Sequence, residues 1–262
     1  TTAEALEMNA GVYNATVIVS SGEGCDPVEI PVVLTIDAGP PVLDQPLIVS
    51  YASRQPGPIA PGMLIRLTGL HLPLEQLDAN LDNRVAPQQL AGVRVLFDGL
   101  PGPVLSVDPG EVSAMVPYEL GARQATAVTL EFLGQAAPPV VAPMVAWRPE
   151  VIPVPESPGS WARHPDGTPV SAAAPALPDS IIQIDATGLG LTDPPLSSTA
   201  VQAQSVPLGF GGNLEVLYNG RPAVVLFAGP KPGWAPGLIL INIPVPVDAP
   251  ATGDITVSMR GK

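Results

Sequence analysis

Hydrophobic and polar residues alternate with a period of two along much of this chain, in stretches of strand length. Val12 to Ser20 reads VYNATVIVS, which places Tyr13, Ala15, Val17 and Val19 on one face. Val28 to Ile36 reads VEIPVVLTI, with Val28, Ile30, Val32, Leu34 and Ile36 together. The polar run from Ser21 to Asp26 separates the two, so the pattern predicts a β-hairpin with one apolar face. A lone hairpin is marginal in water, so that face calls for a cover from elsewhere. The next segment, Asp37-Ala-Gly-Pro-Pro41, reads as a stiff, extended spacer.

Beyond the spacer the chain repeats itself. Met63 to Leu72 (MLIRLTGLHL) matches Ile181 to Leu191 (IIQIDATGLGL), Val93 to Gly99 (VRVLFDG) matches Leu214 to Gly220 (LEVLYNG), and Val128 to Gln135 (VTLEFLGQ) matches Ile255 to Lys262 (ITVSMRGK). Repetition at a spacing of about 120 residues means two copies of one domain rather than a solenoid of short units. Asp98-Gly99 and Asn219-Gly220 stand at equivalent places and signal tight hairpin turns. Helical periodicity is nearly absent, apart from a short turn around Leu74 to Leu81.

The two members of the third repeat pair continue differently. In the first copy Gly134-Gln135 leads into Val140 to Ala146 (VVAPMVA), which reads as a final strand. In the second copy the equivalent turn is Gly261-Lys262, where the sequence stops, so the second domain is expected to lack its last strand. Native proteins cover an unpaired edge of that kind.

Composition narrows the class. With 262 residues the chain suits two domains of about 100 residues plus an extension. Pro (35) and Gly (26) are present at about twice their usual share, interleaved with Val-, Ile- and Leu-rich stretches, as many short strands joined by tight turns require. No apolar run reaches the ~18–20 residues of a membrane helix, so membrane insertion is not expected. The net charge of −13 would be repelled by nucleic acid. Cys25 is the single cysteine, so an intrachain disulfide and a CxxC metal site are excluded. It reads as an isolated thiol or as one that pairs with another chain.

Several stretches carry a family likeness: Ser50-Tyr-Ala-Ser53, Gly57 to Gly62 (GPIAPG), Leu67 to Leu72 (LTGLHL), Val107 to Val112 (VDPGEV), Val116-Pro-Tyr-Glu119, Ala186 to Gly190 (ATGLG), Val225 to Gly229 (VLFAG), and Pro232 to Gly237 (PGWAPG) leading into Ile241 to Val245 (INIPV). Over roughly residues 46 to 262 they resemble an uncharacterised C-terminal module of large secreted acidobacterial proteins, itself similar to IPT/TIG-type immunoglobulin-like domains. The N-terminal hairpin resembles the closing strands of a bacterial immunoglobulin-like domain. The resemblance implies secreted or surface proteins without an assigned enzymatic activity. It also implies one more strand after the last turn, which this sequence does not contain.

Candidate chemistry is sparse. His71 and His164 are the histidines, and His164 with Asp166 has no nucleophile elbow beside it; His164-Pro-Asp-Gly167 reads as a turn. Asp78-Ala-Asn-Leu-Asp-Asn83 begins like a calcium loop but lacks the sixth-position glycine, and Gln89 stands where the bidentate glutamate belongs. Trp147, Trp161 and Trp234 suit packing at module junctions better than a glycan-stacking face. Asn14-Ala-Thr16 is a glycosylation sequon inside a predicted strand.

The sequence therefore predicts an all-β protein of two tandem immunoglobulin-like β-sandwiches, residues 46–148 and 149–262, with an N-terminal hairpin and linker over 1–45. No catalytic, metal or cofactor site is expected. The functional expectation is an extracellular structural subunit, its leader peptide removed, that polymerises head to tail with copies of itself through donated strands. Tyr13, Val17, Val19, Val32, Leu34 and Ile36 are the expected subunit interface. The alternative is a non-catalytic adhesion or binding module cut from a larger surface protein, with an unknown glycan or protein ligand.

Overall fold

Within the two sandwiches, alternating Val/Ile/Leu patterns become strands because each gains a facing sheet that buries its apolar side. The structure, a computed structural model, describes residues 11–19, 28–36, 41–73, 75–121, 123–248 and 253–260. The turn holding Cys25, positions 37–40 of the spacer, and Gly261-Lys262 lie outside the described residues, as do the side chains of Tyr13, Leu34 and Ile36.

The hairpin forms as its pattern predicts. Strands β1 (Gly11–Val19) and β2 (Val28–Ile36) pair antiparallel without interruption, Tyr13 opposite Leu34, Ala15 opposite Val32, Val17 opposite Ile30 and Val19 opposite Val28. They make a two-stranded sheet of their own, and Val17, Val19, Val28, Ile30 and Val32 are exposed. Ile18 and Val33, on the opposite face, are exposed as well.

The first sandwich opens with β3 (Val42–Ser50), so its strands begin within the stretch read as linker. After it come β4 (Leu64–Leu70), β5 (Leu77–Asp78), β6 (Val93–Phe97), β7 (Leu100–Gly102), β8 (Val104–Asp108), β9 (Glu111–Met115), β10 (Ala125–Phe132), β11 (Gln135–Ala136) and β12 (Val140–Pro143). One sheet runs β3-β4-β9-β8-β5; the other runs β11-β10-β6-β7, with β12 also paired to β10. Ile65 and Leu67 of β4 and Val112 and Ala114 of β9 face Val95, Phe97, Val128 and Leu130 across one core. The expected turn around Leu74 to Leu81 is instead a short edge strand: Leu77 and Asp78 pair with Val107 and Ser106.

The second sandwich repeats this plan with β13 (Glu150–Val151), β14 (Ile181–Thr187), β15 (Thr192–Asp193), β16 (Gly209–Phe210), β17 (Asn213–Tyr218), β18 (Arg221–Ala223), β19 (Phe227–Pro230), β20 (Ile239–Pro244) and β21 (Ile255–Arg260). Its sheets run β13-β14-β20-β19 and β18-β17-β21, with β15 and β16 paired apart. Ile182 and Ile184 of β14, Ile239, Ile241 and Ile243 of β20, Val216 of β17 and Val257 and Met259 of β21 fill its core. The equivalent hairpins β6-β7 and β17-β18 turn where the two dipeptides predicted: Asp98 and Gly99 have φ of 49° and 83°, Asn219 and Gly220 of 49° and 73°. Positive φ at both central residues is what a two-residue turn matching strand twist demands. The chain is thus all-β, two tandem β-sandwiches preceded by a hairpin.

The sandwiches meet through an apolar patch and buried polar contacts. Leu64, Met115, Tyr118 and Leu238 pack together between them. The Leu64 N–H donates to Thr187 Oγ1 at 2.9 Å, the Tyr118 N–H to Ser198 Oγ at 2.8 Å, and the Ser198 N–H to Glu119 Oε1 at 3.1 Å. Ala86 N–H to Thr199 O and Val201 N–H to Arg84 O add main-chain bonds at 2.8 and 3.0 Å.

Candidate assembly site

Strand β10 occupies the middle of its sheet. Its Val128 to Phe132 segment pairs with β6, and Ala125 to Val128 pair on the other side with Pro143 to Val140 of β12. Ala142 and Met144 close the core beneath that strand, with Val141 pointing to solvent. β21 is its counterpart, 127 positions on, and pairs with β17 from Ile255 to Arg260. Its other edge ends the sheet, with no strand paired to it among the described residues.

Burial records the difference. Val128 is 0 % exposed under β12, whereas the matching Ile255 is half-buried. Phe97 is likewise fully buried, and its counterpart Tyr218 is half-buried. Thr126 is buried; the matching Gly253 is exposed.

Along this edge runs a groove of about 1120 Å³. Gly253 to Val257 of the β21 segment form one wall, and Trp161, Ala162, Val170 and Ala176 of the Pro-rich connection form the other. Val151, Ile182 and Val245 contribute apolar floor from the opposite sheet. Trp161 is 49 % exposed beside it. The connection is held in place locally: Ser160 Oγ donates to Ala162 O at 3.0 Å, and the Arg163 and Gln183 main chains exchange bonds at 2.8 Å. His164 Nε2 lies 3.1 Å from Ala174 O, and the Gly167 N–H closes a turn on His164 O. That is the turn His164-Pro-Asp-Gly167 predicted. The Thr168 N–H on Asp166 Oδ1 holds that carboxyl below the usual carboxylate range.

Of the expected interface residues, Val17, Val19 and Val32 stand exposed on the hairpin, available rather than consumed by the chain's own cores. Asn14 of the sequon lies exposed on β1. The calcium-like loop uses its amides locally, Asn80 Oδ1 accepting from the Asp82 N–H and Asn83 Oδ1 from the Val85 N–H. Among the described residues no group of three or more His, Cys, Asp or Glu is placed to hold a metal ion, and no helix is long and apolar enough to cross a membrane. Trp147 packs against the second core, but Trp161 and Trp234 are more exposed than junction packing would leave them; Lys231 Nζ lies 5.1 Å from the Trp234 ring. Of the groove residues, Trp161 was expected at a module junction instead, and Val170 and Ala176 escaped the sequence reading. Ile255 could have been found from it, since it stands opposite Val128 in the repeat; Val170 and Ala176 lie in an irregular connection with no periodic signal.

No family model matches the chain, and no curated protein matches it. Among solved structures, the crystal structure of the I9-I11 tandem from titin is similar at 11% sequence identity, covering 96% of this chain and 70% of that chain, with a TM-score of 0.25.

Proposed function

We propose that this chain is an extracellular structural subunit that assembles head to tail into a filament, its second sandwich accepting a β-strand donated by the next copy. The observation that carries the reading is the mismatch between β10, paired on both sides, and β21, paired on one. The hairpin supplies the complementary surplus: two strands with exposed apolar side chains on both faces. Strand addition to a sheet edge derives affinity from main-chain hydrogen bonds and specificity from alternate side chains. A heterologous contact that does not close on itself propagates as a fibre. Fully burying each Val, Leu or Ile of a donated strand contributes roughly 1.5–3 kcal/mol, so a few residues make a stable joint. The polar and apolar contacts between the sandwiches suit a subunit that transmits load. The likeness to secreted modules supports the location.

Deleting residues 1 to 36 tests the reading. Size exclusion and electron microscopy are expected to find filaments with the whole chain and only monomers with the shortened one; filaments that persist overturn it. A second reading, a binding module of a larger surface protein, is favoured by the exposure of Trp161 and Trp234. It predicts glycan binding that is lost on Trp161→Ala or Trp234→Ala.

A further inference from the structure

We infer that the groove beside β21 is the acceptor, that β2 rather than β1 of a second copy is the strand that fills it, and that its register is set by Val32 opposite Ile255. The inference rests on the assembly reading above. The groove, of about 1120 Å³, has room for an extended segment. Its lining of twenty residues is about one side of a stable protein–protein interface. One wall is an open sheet edge, which offers main-chain partners and asks for an extended chain in return.

The first sandwich shows what such a strand looks like. There the place is taken by Pro139-Val140-Val141-Ala142-Pro143-Met144, with Ala142 and Met144 buried and Val141 exposed. In the hairpin, β2 carries Pro31-Val32-Val33-Leu34-Thr35-Ile36. The two segments share Pro-Val-Val at the same positions and end on a large apolar residue. Val32, Leu34 and Ile36 therefore fall where Val140, Ala142 and Met144 stand, and Val33 falls where Val141 meets solvent. Strand β1 has no Pro-Val-Val match, and its apolar row carries the small Ala15 between Tyr13 and Val17.

Register comes from the same comparison. Val140 is opposite Val128 and Val141 is opposite Ala127. Carried to the second sandwich, these pairs become Val32 with Ile255 and Val33 with Asp254. Leu34 then meets Gly253, whose side-chain position is taken by the Tyr218 ring, so that Leu34 would pack on the tyrosine. In the other direction Ile30 reaches Val257, extending the apolar contact along β21. Trp161 and Val170 close over the donated strand from the connection, and Ile182 lies beneath it.

Cross-linking of the full chain tests the assignment. In a Cys25→Ser background, Val33→Cys is combined with Asp254→Cys; directly opposed strand residues lie within disulfide reach, with Cα atoms about 4.5–5.5 Å apart. Mild oxidation is expected to give a ladder of multimers on a non-reducing gel, at least about tenfold stronger than the ladder from Ile18→Cys with Asp254→Cys, and absent from either single variant. In the otherwise unmodified chain, Val32→Asp is expected to abolish filaments without lowering the melting temperature. A ladder favouring Ile18 overturns the choice of β2 and leaves the assembly reading standing. A disulfide formed only within monomers overturns the second copy as occupant. Filaments that form while neither cysteine pair cross-links, or that survive Val32→Asp, overturn the acceptor site. Absence of filaments from the unmodified chain at any concentration overturns the assembly reading and this inference with it.

Discussion

The hydroxyl of Tyr118, at the end of the first sandwich's core, donates a hydrogen bond to the carbonyl oxygen of Pro236 in the second, 3.1 Å away. The ring itself is buried, and the same residue's N–H donates to Ser198 Oγ. One residue thus joins both modules through packing and two polar contacts. The neighbouring Glu119 accepts from the Ser198 N–H and from its hydroxyl, so Ser198 is held from both sides. A junction built this way couples the sandwiches instead of leaving them as beads on a string.

Tyr118→Phe keeps the ring and removes the bond to Pro236. The expected cost is about 1 kcal/mol, read as a lower urea midpoint with unchanged slope. The pH dependence gives a second readout. Burial, helped by the Glu119 charge, pushes the Tyr118 hydroxyl above its ordinary value of about 10. The folded state then holds its proton where the unfolded state releases it. This contribution is fully present below pH ~10 and is lost as pH rises above it. Tyr118→Phe is expected to flatten the alkaline fall in stability.

Gly237 packs so close to the first sandwich that a Cβ there would lie 2.1 Å from the Gly62 carbonyl oxygen and 2.8 Å from Met115 Sδ. The Gly62 carbonyl is main chain and cannot withdraw without shifting the junction. Gly237→Ala is expected to destabilise the chain by at least about 2 kcal/mol, or to split one thermal transition into two. Calorimetry separates these outcomes from a neutral one. Ser198→Ala acts on the same junction more mildly: it leaves the Tyr118 N–H without its partner, at a cost of about 1–3 kcal/mol.

The internal repeat provides its own control for the open edge. Val128→Ala opens a cavity beneath β12 in a closed core and is expected to cost about 2 kcal/mol in any assembly state. Ile255→Ala removes a larger side chain at the matching place, yet Ile255 is only half-buried. Its cost in the isolated subunit is expected to stay below about 1 kcal/mol and to rise when filaments form. Equal costs in monomers would mean the edge of β21 is already covered.

Much of this architecture was legible from period-two patterning and turn chemistry. The strands around Val93, Val128, Ile181 and Ile255, and both positive-φ turns, can be read from local residues alone, because alternation and Asn/Asp-Gly pairs act over a few positions. The stretch from Leu74 to Leu81 misled, since a two-residue edge strand is too short to show any period; its pairing with Val107 decides it. The junction was invisible. Tyr118 with Pro236 and Glu119 with Ser198 are joined across 118 and 79 positions, and no spacing rule reaches that far. The groove stands between these cases. One wall, the β21 segment, was legible from its match to Val128 in the repeat, whereas Trp161, Val170 and Ala176 depend on how an irregular Pro-rich connection folds back.

Trp161 offers a spectroscopic view of that groove. It is half-exposed at the groove wall, whereas Trp147 is packed on the second core and Trp234 stands on a turn beside Lys231. A strand laid along β21 would desolvate the Trp161 indole and leave the other two unchanged. Emission is therefore expected to shift to shorter wavelength as subunit concentration rises through the assembly range. Trp161→Phe should abolish the concentration-dependent part of the shift, and Trp234→Phe should preserve it. Val32→Asp should remove it while all three tryptophans remain. A shift that survives in Trp161→Phe would place the subunit contact elsewhere on the molecule, since the reporting ring would then lie outside the groove.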